Sequence, residues 1–187
     1  MNTAAETYRL LAVSFHLPTE ELRSEHTRLF SLTVAGGVSP YETEYGDQEV
    51  FSKTQSLADI AGFYRAFGFE LIPEAHQRVD FIGAELEWMH WIVLKEEHAR
   101  KQGRIEEASL CHEAGAKFLH DHLGRWAPFF GHLLQREARH PFYRQLGEFL
   151  QLFVEEECAR FQVTPEKVTE WKPTPVLTTE FECGADL

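Results

Sequence analysis

Apolar residues along this chain recur at the spacing of amphipathic helices. In the first such stretch they occupy positions i, i+3, i+4 and i+7 and therefore share one helix face. The residues of this stretch are Tyr8, Leu11, Ala12 and Phe15. The same period predicts further helices over residues 19–32, 57–67, 78–101, 105–123 and 141–161. Because no alternating strand pattern of useful length and no internal repeat occurs, the sequence predicts an all-α, single-domain, bundle-like globule of about six or seven helices.

Glycine and proline set the expected ends of several helices. Gly124 is expected to end the helix predicted over 105–123, and a short helix that ends near Ala138 is expected to follow. Pro141 suits the first turn of the last long helix, where its missing N–H is not needed. Prolines bar a helix from residue 172 onward. The predicted organisation is a helical domain at 1–171 and an extended C-terminal tail at 172–187.

The chain is strongly acidic. It contains 187 residues, with 18 Lys plus Arg against 30 Asp plus Glu, so the formal net charge is −12 with His neutral. Binding to a nucleic-acid backbone or to an anionic membrane surface needs a basic patch, and both classes of partner are therefore excluded. A charged partner of this protein is expected to be basic.

Cysteine use and hydropathy together indicate a cytoplasmic protein. The three cysteines are widely spaced and form no C-x-x-C motif, which disfavours a disulfide framework and a zinc site. Residues 1–17 have no long apolar run of the kind that a secretory signal contains. The sequence also lacks the roughly 18 uninterrupted apolar residues of a membrane span. We therefore expect a reducing, cytoplasmic environment and no membrane insertion.

Two Glu-x-x-His motifs raise the possibility of a metal-dependent enzyme. Glu87–His90 and Glu137–His140 have the spacing of carboxylate-bridged di-iron bundles, in which both side chains reach one metal. His140 precedes a proline, which disfavours a helical conformation there, and Glu87 and His90 are offset from the apolar stripe of their helix. The chain contains no nucleophile elbow and no phosphate-binding loop. A bundle enzyme using Glu87 and His90 is therefore the alternative, and the main prediction is a protein without a catalytic or metal site.

Residues 39–46 place aromatic and acidic side chains together in a loop between helices. These side chains are Tyr41, Glu42, Glu44 and Tyr45. Carboxylates and aromatic rings suit the recognition of arginine, through ion pairs and stacking. In the other interpretation the tyrosines anchor the loop on the hydrophobic core. The pattern of residues leaves both interpretations open.

One predicted helix carries two further acids beside its apolar stripe. Glu85 borders the stripe, where a carboxylate is either paired in the interior or reaches water at the rim. Asp80 lies near the helix start, where the helix dipole favours a negative charge. Trp88, Trp91 and Trp126 are expected to fill the core or line a groove, and the spacing leaves at least one of Trp88 and Trp91 partly exposed.

The order of these motifs resembles the redox-enzyme maturation chaperones, the TorD, DmsD and NarJ group. The opening Tyr-x-x-Leu-Ala-x-x-Phe of that family is similar to residues 8–15. The family's helix signature is matched at Asp80, Ile82, Glu85, Leu86 and Met89. Val79 stands where the family has proline, and Phe81 stands where it has histidine. A later family motif is matched at His122, Leu123, Trp126, Pro128 and Phe130.

The resemblance covers about residues 6–162. The Tyr-Glu-Thr-Glu-Tyr-Gly run at 41–46 is most like the branch that serves type II enzymes of the dimethyl sulfoxide reductase family. The ending Phe-Glu-Cys-Gly at 181–184 also looks like that branch.

This resemblance implies a cytoplasmic all-α chaperone with no catalytic activity and no cofactor of its own. Its partner would be the apo catalytic subunit of a molybdopterin oxidoreductase, held ready for insertion of the molybdenum cofactor. The chaperone would also bind the twin-arginine signal peptide of that subunit before export. It would be a monomer or a helix-swapped dimer. A generic helical adaptor for another protein is a further alternative.

Nine residues are expected to form the peptide-binding and client-binding site. In this hypothesis the carboxylates attract the arginines of the leader, and the aromatic rings add apolar and stacking contacts. The nine residues are Tyr41, Glu42, Glu44, Tyr45, Asp80, Glu85, Trp88, His122 and Trp126.

Overall fold

The computed structural model describes residues 3–16, 18–30, 37–46, 49–71 and 77–171. Within them lie seven α-helices: α1 Thr3–His16, α2 Arg23–Phe30, α3 Val50–Ala66, α4 Ile82–Lys101, α5 Ile105–Phe118, α6 Gly124–Glu137 and α7 Pro141–Arg160. The described residues contain no β-strand, only an isolated bridge between Tyr41 and Phe81. The predicted all-α class is confirmed. The predicted tail at 172–187 lies outside the described residues.

Helix α4 packs against both α1 and α5. Helices α6 and α7 form a second packed pair. The helices α6 and α7 meet at two glycines. A Cβ atom on Gly131 would lie 2.5 Å from the carbonyl oxygen of Gly147, and the reverse distance is also 2.5 Å. The two backbones therefore approach more closely than any larger residue would allow.

The chain passes from α5 to α6 through a wide π-helical turn, Leu119–Leu123. The prediction that Gly124 breaks the helix is wrong, since Gly124 has helical dihedral angles (φ −69°, ψ −19°) and α6 begins there. A Cβ atom at this position would lie 2.8 Å from Cys158 Sγ and 2.7 Å from Pro165 Cγ. Only glycine fits here, because α7 and the segment after it pass directly over this position. π-Turns of this kind are frequent at functional sites.

Helix α4 begins at Ile82, four residues later than the predicted start at residue 78. The backbone before it is tied to the 40–42 loop instead of turning as a helix. Glu42 N donates to Asp80 O at 2.9 Å, and Ile82 N donates to Pro40 O at 2.9 Å. We call this pair of hydrogen bonds the backbone clip. It holds the acidic loop against the start of α4.

The start of α7 and the cysteines can also be compared with the sequence predictions. Pro141 occupies the first turn of α7, as predicted, with His140 as the N-cap. Cys111 and Cys158 are free and buried, and Cys183 lies outside the described residues. Among the described helices, none combines the length and the apolar character that crossing a bilayer would require.

Candidate functional site

A polar cleft of about 730 Å³ lies between α3, the π-turn and the segment after α7. Its lining includes Ser52, Ser56, Asp59, Asp121, His122 and Arg125. A smaller cavity of about 240 Å³ shares Ser52, Ser56 and Arg125 with this cleft and is walled by Glu42, Tyr45 and Trp126. The cleft therefore adjoins the acidic loop that the sequence singles out.

Tyr45 anchors the acidic loop on the core, as one of the two sequence interpretations expects. The side chain is 5% exposed, and its hydroxyl donates to Ser39 O at 2.6 Å. The ring lies 5.2 Å from Trp126 and is stacked on Trp171 at 6.3 Å between centroids. Burial raises the pKa of Tyr45 well above its usual range, so the phenol remains a neutral donor.

Asp80 is fully buried and already holds an arginine of its own chain. Arg78 donates to both carboxylate oxygens, from Nε to Oδ1 at 2.9 Å and from Nη2 to Oδ2 at 2.8 Å. Thr43 adds a backbone donor at 3.1 Å and a hydroxyl donor at 2.8 Å. Asp80 is therefore saturated, and its function in the described conformation is to hold the 41–46 loop.

The rim of the same loop also contacts Arg78. The guanidinium lies 4.3 Å from the centroid of the Tyr41 ring. Glu44, whose side chain is 18% exposed, lies 3.5 Å from Arg78 Nη1 and 3.3 Å from Lys53 Nζ. Burial lowers the pKa of Arg78, but the hydrogen bonds and charges of Asp80 and Glu44 outweigh burial and raise it. The predicted combination of acids and aromatic rings around arginine is thus present inside the chain.

Glu85 and Glu42 form a buried pair of carboxyl groups. Glu85 is 0% exposed, and Trp126 Nε1 donates to its Oε2 at 3.1 Å. With both groups ionised, Glu85 Oε1 and Glu42 Oε2 have no donor. Burial raises the pKa of Glu85 well above its usual range, and the charge of Glu42 adds to this effect. A proton held on Glu85 and shared with Glu42 satisfies both oxygens.

His122 connects this buried pair to the cleft. Its Nδ1 lies 3.1 Å from Glu42 Oε1, and its Nε2 lies 3.0 Å from Asp59 Oδ2. The imidazole side chain is 4% exposed, whereas that of Asp59 is 55% exposed. Burial lowers the pKa of His122, but Glu42 and Asp59 outweigh burial and raise it. A continuous chain of polar contacts therefore runs from Trp126 through Glu85, Glu42 and His122 to the surface.

Trp88 and Trp126 lie in the core at 0% exposure. The Trp88 ring is 4.3 Å from Phe118 and 5.5 Å from Phe63. Trp88 therefore has no access to a bound peptide in this conformation, and Trp126 faces only the smaller cavity that it walls. Trp91, at 37% exposure, is the member of the Trp88 and Trp91 pair that reaches the surface, as the spacing predicts.

The predicted alternative, a metal enzyme using Glu87 and His90, gains no support from the structure. Glu87 Oε1 lies 3.2 Å from His16 Nε2, while His90 Nδ1 lies 2.7 Å from Ala5 O. The two side chains thus engage different groups on α1. Across the part of the chain that the structure describes, no group of three or more His, Cys, Asp or Glu side chains is placed to hold a metal ion.

Sequence reasoning missed three residues that shape the site. Arg78 lies two residues before Asp80, but a single basic residue beside an acid does not indicate that the two pair in the interior. Asp59 has a visible signal, since it is the one charged residue between positions 57 and 64. Arg125 lines both cavities and supplies a cation to the cleft. The spacing of residues carries no sign of that role.

The chain belongs to the family described as nitrate reductase delta subunit, whose family model matches residues 2–131. The chlorate reductase assembly chaperone protein of Ideonella dechloratans is 30% identical over 155 residues, which cover 82% of this chain and 77% of that relative. The selenate reductase assembly chaperone protein of Thauera selenatis is 31% identical over 147 residues, covering 77% and 72% respectively.

A perchlorate reductase assembly chaperone protein of Dechloromonas aromatica (strain RCB) is 27% identical over 99 residues, covering 53% of this chain and 43% of that relative. These relatives confirm the predicted resemblance to the maturation chaperones of type II enzymes of the dimethyl sulfoxide reductase family. Each relative is an assembly chaperone and not a catalyst, so the prediction that this chain is not an enzyme is confirmed.

Proposed function

We propose that this chain is a cytoplasmic assembly chaperone for the catalytic subunit of a molybdopterin oxidoreductase. It binds that subunit in its apo form and assists insertion of the molybdenum cofactor before export. The observation that carries the proposal is the similarity, over most of both chains, to the chlorate and selenate reductase assembly chaperones. Binding is stoichiometric and reversible, because the client must leave once it is complete.

The cleft between α3 and the π-turn is the proposed binding site for the twin-arginine signal peptide of the client. Three carboxylates line it: Asp59, with a side chain that is 55% exposed, Asp121, at 27%, and the exposed Glu166. Burial raises the pKa of Asp121, but hydrogen bonds from Lys117 and His120 outweigh burial and lower it, so this group is ionised at neutral pH. Guanidinium groups pair with such carboxylates through two parallel hydrogen bonds.

The affinity expected from these pairs is modest. An exposed ion pair contributes about 0.2–1 kcal/mol, and a hydrogen bond to a charged group contributes about 1.5–3 kcal/mol where water is excluded. Two such pairs and some apolar contact are compatible with micromolar binding, which corresponds to about 8 kcal/mol. This strength suits a partner that is held and then released.

The nine residues predicted from the sequence divide between two tasks in this proposal. Glu44 and Tyr41, at the rim of the 41–46 loop, remain candidates for contact with the client. The buried members position the walls of the cleft from behind: Glu42, Tyr45, Asp80, Glu85, Trp88, His122 and Trp126.

The leader-binding proposal is tested by titrating a fluorescent twin-arginine leader peptide into the protein at low salt. A peptide with both arginines replaced by alanine is the control ligand. The variant carrying Asp59→Asn and Asp121→Asn should bind about two- to thirtyfold more weakly. Glu20→Gln removes the same kind of charge from a side chain that is 84% exposed and does not line the cleft, and it should bind like the wild type. Equal affinity for the two peptides would refute leader binding.

The cofactor-insertion proposal needs a separate experiment. The catalytic subunit of a type II enzyme is produced with and without this chain, and molybdenum per purified subunit is measured by mass spectrometry. We expect molybdenum content to fall several-fold without the chaperone. Full molybdenum loading in its absence would contradict the proposed function.

A further inference from the structure

The imidazole of His122 lies between two carboxylates in a nearly closed environment. Both ring nitrogens face a carboxylate oxygen, Glu42 Oε1 at 3.1 Å and Asp59 Oδ2 at 3.0 Å. A neutral imidazole has a single N–H and would turn a lone pair toward one of these oxygens. The two contacts therefore fit the protonated imidazolium form of His122, which donates one hydrogen bond to each carboxylate.

Asp59 differs from the other partner of His122 because it is open to the cleft. More than half of its side chain is exposed, whereas that of Glu42 is 9% exposed. A cation arriving in the cleft can therefore reach Asp59 without disturbing the interior. The same cation would lie next to the His122 imidazolium, whose side chain is only 4% exposed and borders the cleft.

We propose that Asp59 binds an arginine side chain of the client leader and that this binding releases the proton held by His122. The inference rests on the proposed function and adds how the site is regulated. The guanidinium and the imidazolium compete for one carboxylate, and two cations beside it repel each other. When the proton leaves, the tautomer with hydrogen on Nδ1 keeps its bond to Glu42, and Asp59 is free to bind the guanidinium through both oxygens. The released proton goes to solvent through the cleft.

Besides Asp59, the charged residues that line the cleft with His122 include Asp121, Arg125 and Glu166. The hydrogen bond to Asp121 raises the pKa of Lys117, so this group stays charged between pH 6 and 8.5. Glu85, on α4, lies behind Glu42 and not at the cleft. Asp121, on the same π-turn, is held by Lys117 and His120. His120 is 54% exposed and contacts Asp121.

Proton release makes binding depend on pH in a direction that can be stated beforehand. Binding that expels a proton becomes tighter as the pH rises through the range in which free His122 is charged and bound His122 is neutral, with a limit of about tenfold per pH unit for one proton. Between pH 6 and 8.5 we expect the affinity for a twin-arginine peptide to rise about three- to tenfold. The peptide is acetylated, amidated and free of His and Cys, so it does not itself titrate in this range.

The experiment is isothermal titration calorimetry in pairs of buffers that differ in ionisation enthalpy, which counts protons released per peptide bound. The wild type should release a substantial fraction of one proton near neutral pH. His122→Gln should bind with no proton release and a flat pH profile, while His132→Gln, which replaces an exposed histidine that does not line the cleft, should keep both. Asp59→Asn, a change at an exposed position, should also flatten the profile if His122→Gln fails to fold.

The calorimetric results distinguish a failure of proton release from a failure of leader binding. Peptide binding without proton release in the wild type, or with release that survives in Asp59→Asn, overturns the inference and leaves leader binding intact. No binding to the twin-arginine peptide at any pH overturns leader binding and the inference together. The molybdenum measurement then decides the chaperone role independently.

Discussion

The ion pair between Arg78 and Asp80 offers the sharpest test of how the interior of this protein is organised. Replacing Arg78 with alanine would leave the Asp80 carboxylate, which is 0% exposed, with only the two donors of Thr43. Breaking a buried pair by removing one partner costs about 3–5 kcal/mol. Because the Arg78 side chain is 38% exposed, water can enter its place, and we expect a loss nearer 2–3 kcal/mol.

The loss can be assigned to the ion pair by a double-mutant cycle. Asp80→Asn keeps an acceptor for Thr43 and removes the buried charge, so Arg78→Ala should cost much less in that background. We expect a coupling free energy of about 1.5 kcal/mol or more. Arg78→Lys keeps the charge but cannot donate to both oxygens in the same plane, and it should fall between alanine and the wild type.

The assay is urea unfolding at pH 7, followed by tryptophan fluorescence and far-ultraviolet circular dichroism. With a slope of about 2 kcal/mol per molar urea, the Arg78→Ala midpoint should fall by about 1 M. The matched control is Arg23→Ala, which removes an arginine that is 65% exposed and paired with an exposed glutamate. The control should unfold like the wild type. If Arg78→Ala unfolds like this control, or if the cycle is additive, Asp80 is not held by Arg78 in the way described.

Three further predictions concern other parts of the fold. Burial raises the pKa of Glu85 in the folded state above its unfolded value, so the folded protein binds more protons and loses stability as pH rises from about 4.5. Glu85→Gln should remove this loss, and the urea midpoint of the variant relative to that of the wild type should increase steadily from pH 5 to 8. In thermal unfolding, Gly131→Ala should destabilise the protein by about 1–3 kcal/mol, because the added Cβ clashes across the α6–α7 contact. The control Gly62→Ala should be neutral or slightly stabilising, because a Cβ at that position meets no atom within 4 Å. Burial raises the pKa of Cys158 to about 11, so its thiol should react with iodoacetamide at pH 8 much more slowly in the native protein than in urea, and equal rates would contradict its placement.

The helices were predictable because their signal is local. Apolar spacing of three and four residues places Tyr8, Leu11 and Phe15 on one face, and these residues are buried in α1. Pro141 likewise carries its own restriction on the backbone and begins α7. The start of α4 was predicted too early because the hydrogen bonds from Glu42 to Asp80 and from Ile82 to Pro40 join distant parts of the chain.

The candidate site was predictable in its residue types but not in their pairing. The expectation that acids and aromatic rings surround arginine was reasonable, yet Asp80 and Tyr41 engage Arg78 of the same chain. Glu42 and His122 are 80 positions apart, and no periodicity relates them. A glycine at position 124 suggests a helix break in the sequence, because the neighbours that leave no room for a Cβ atom there come together only in three dimensions.

The backbone clip has a mechanical consequence for the cleft. The hydrogen bond from Glu42 N to Asp80 O brings the start and the end of the sequence that carries α3 together beside α4. The Arg78–Asp80–Thr43 contacts hold the same junction from the side. The rings of Phe63 and Tyr64 also pack α3 against Trp88. The wall of the cleft that carries Asp59 is therefore held both at this junction and at its core face, so a partner meets a preformed wall.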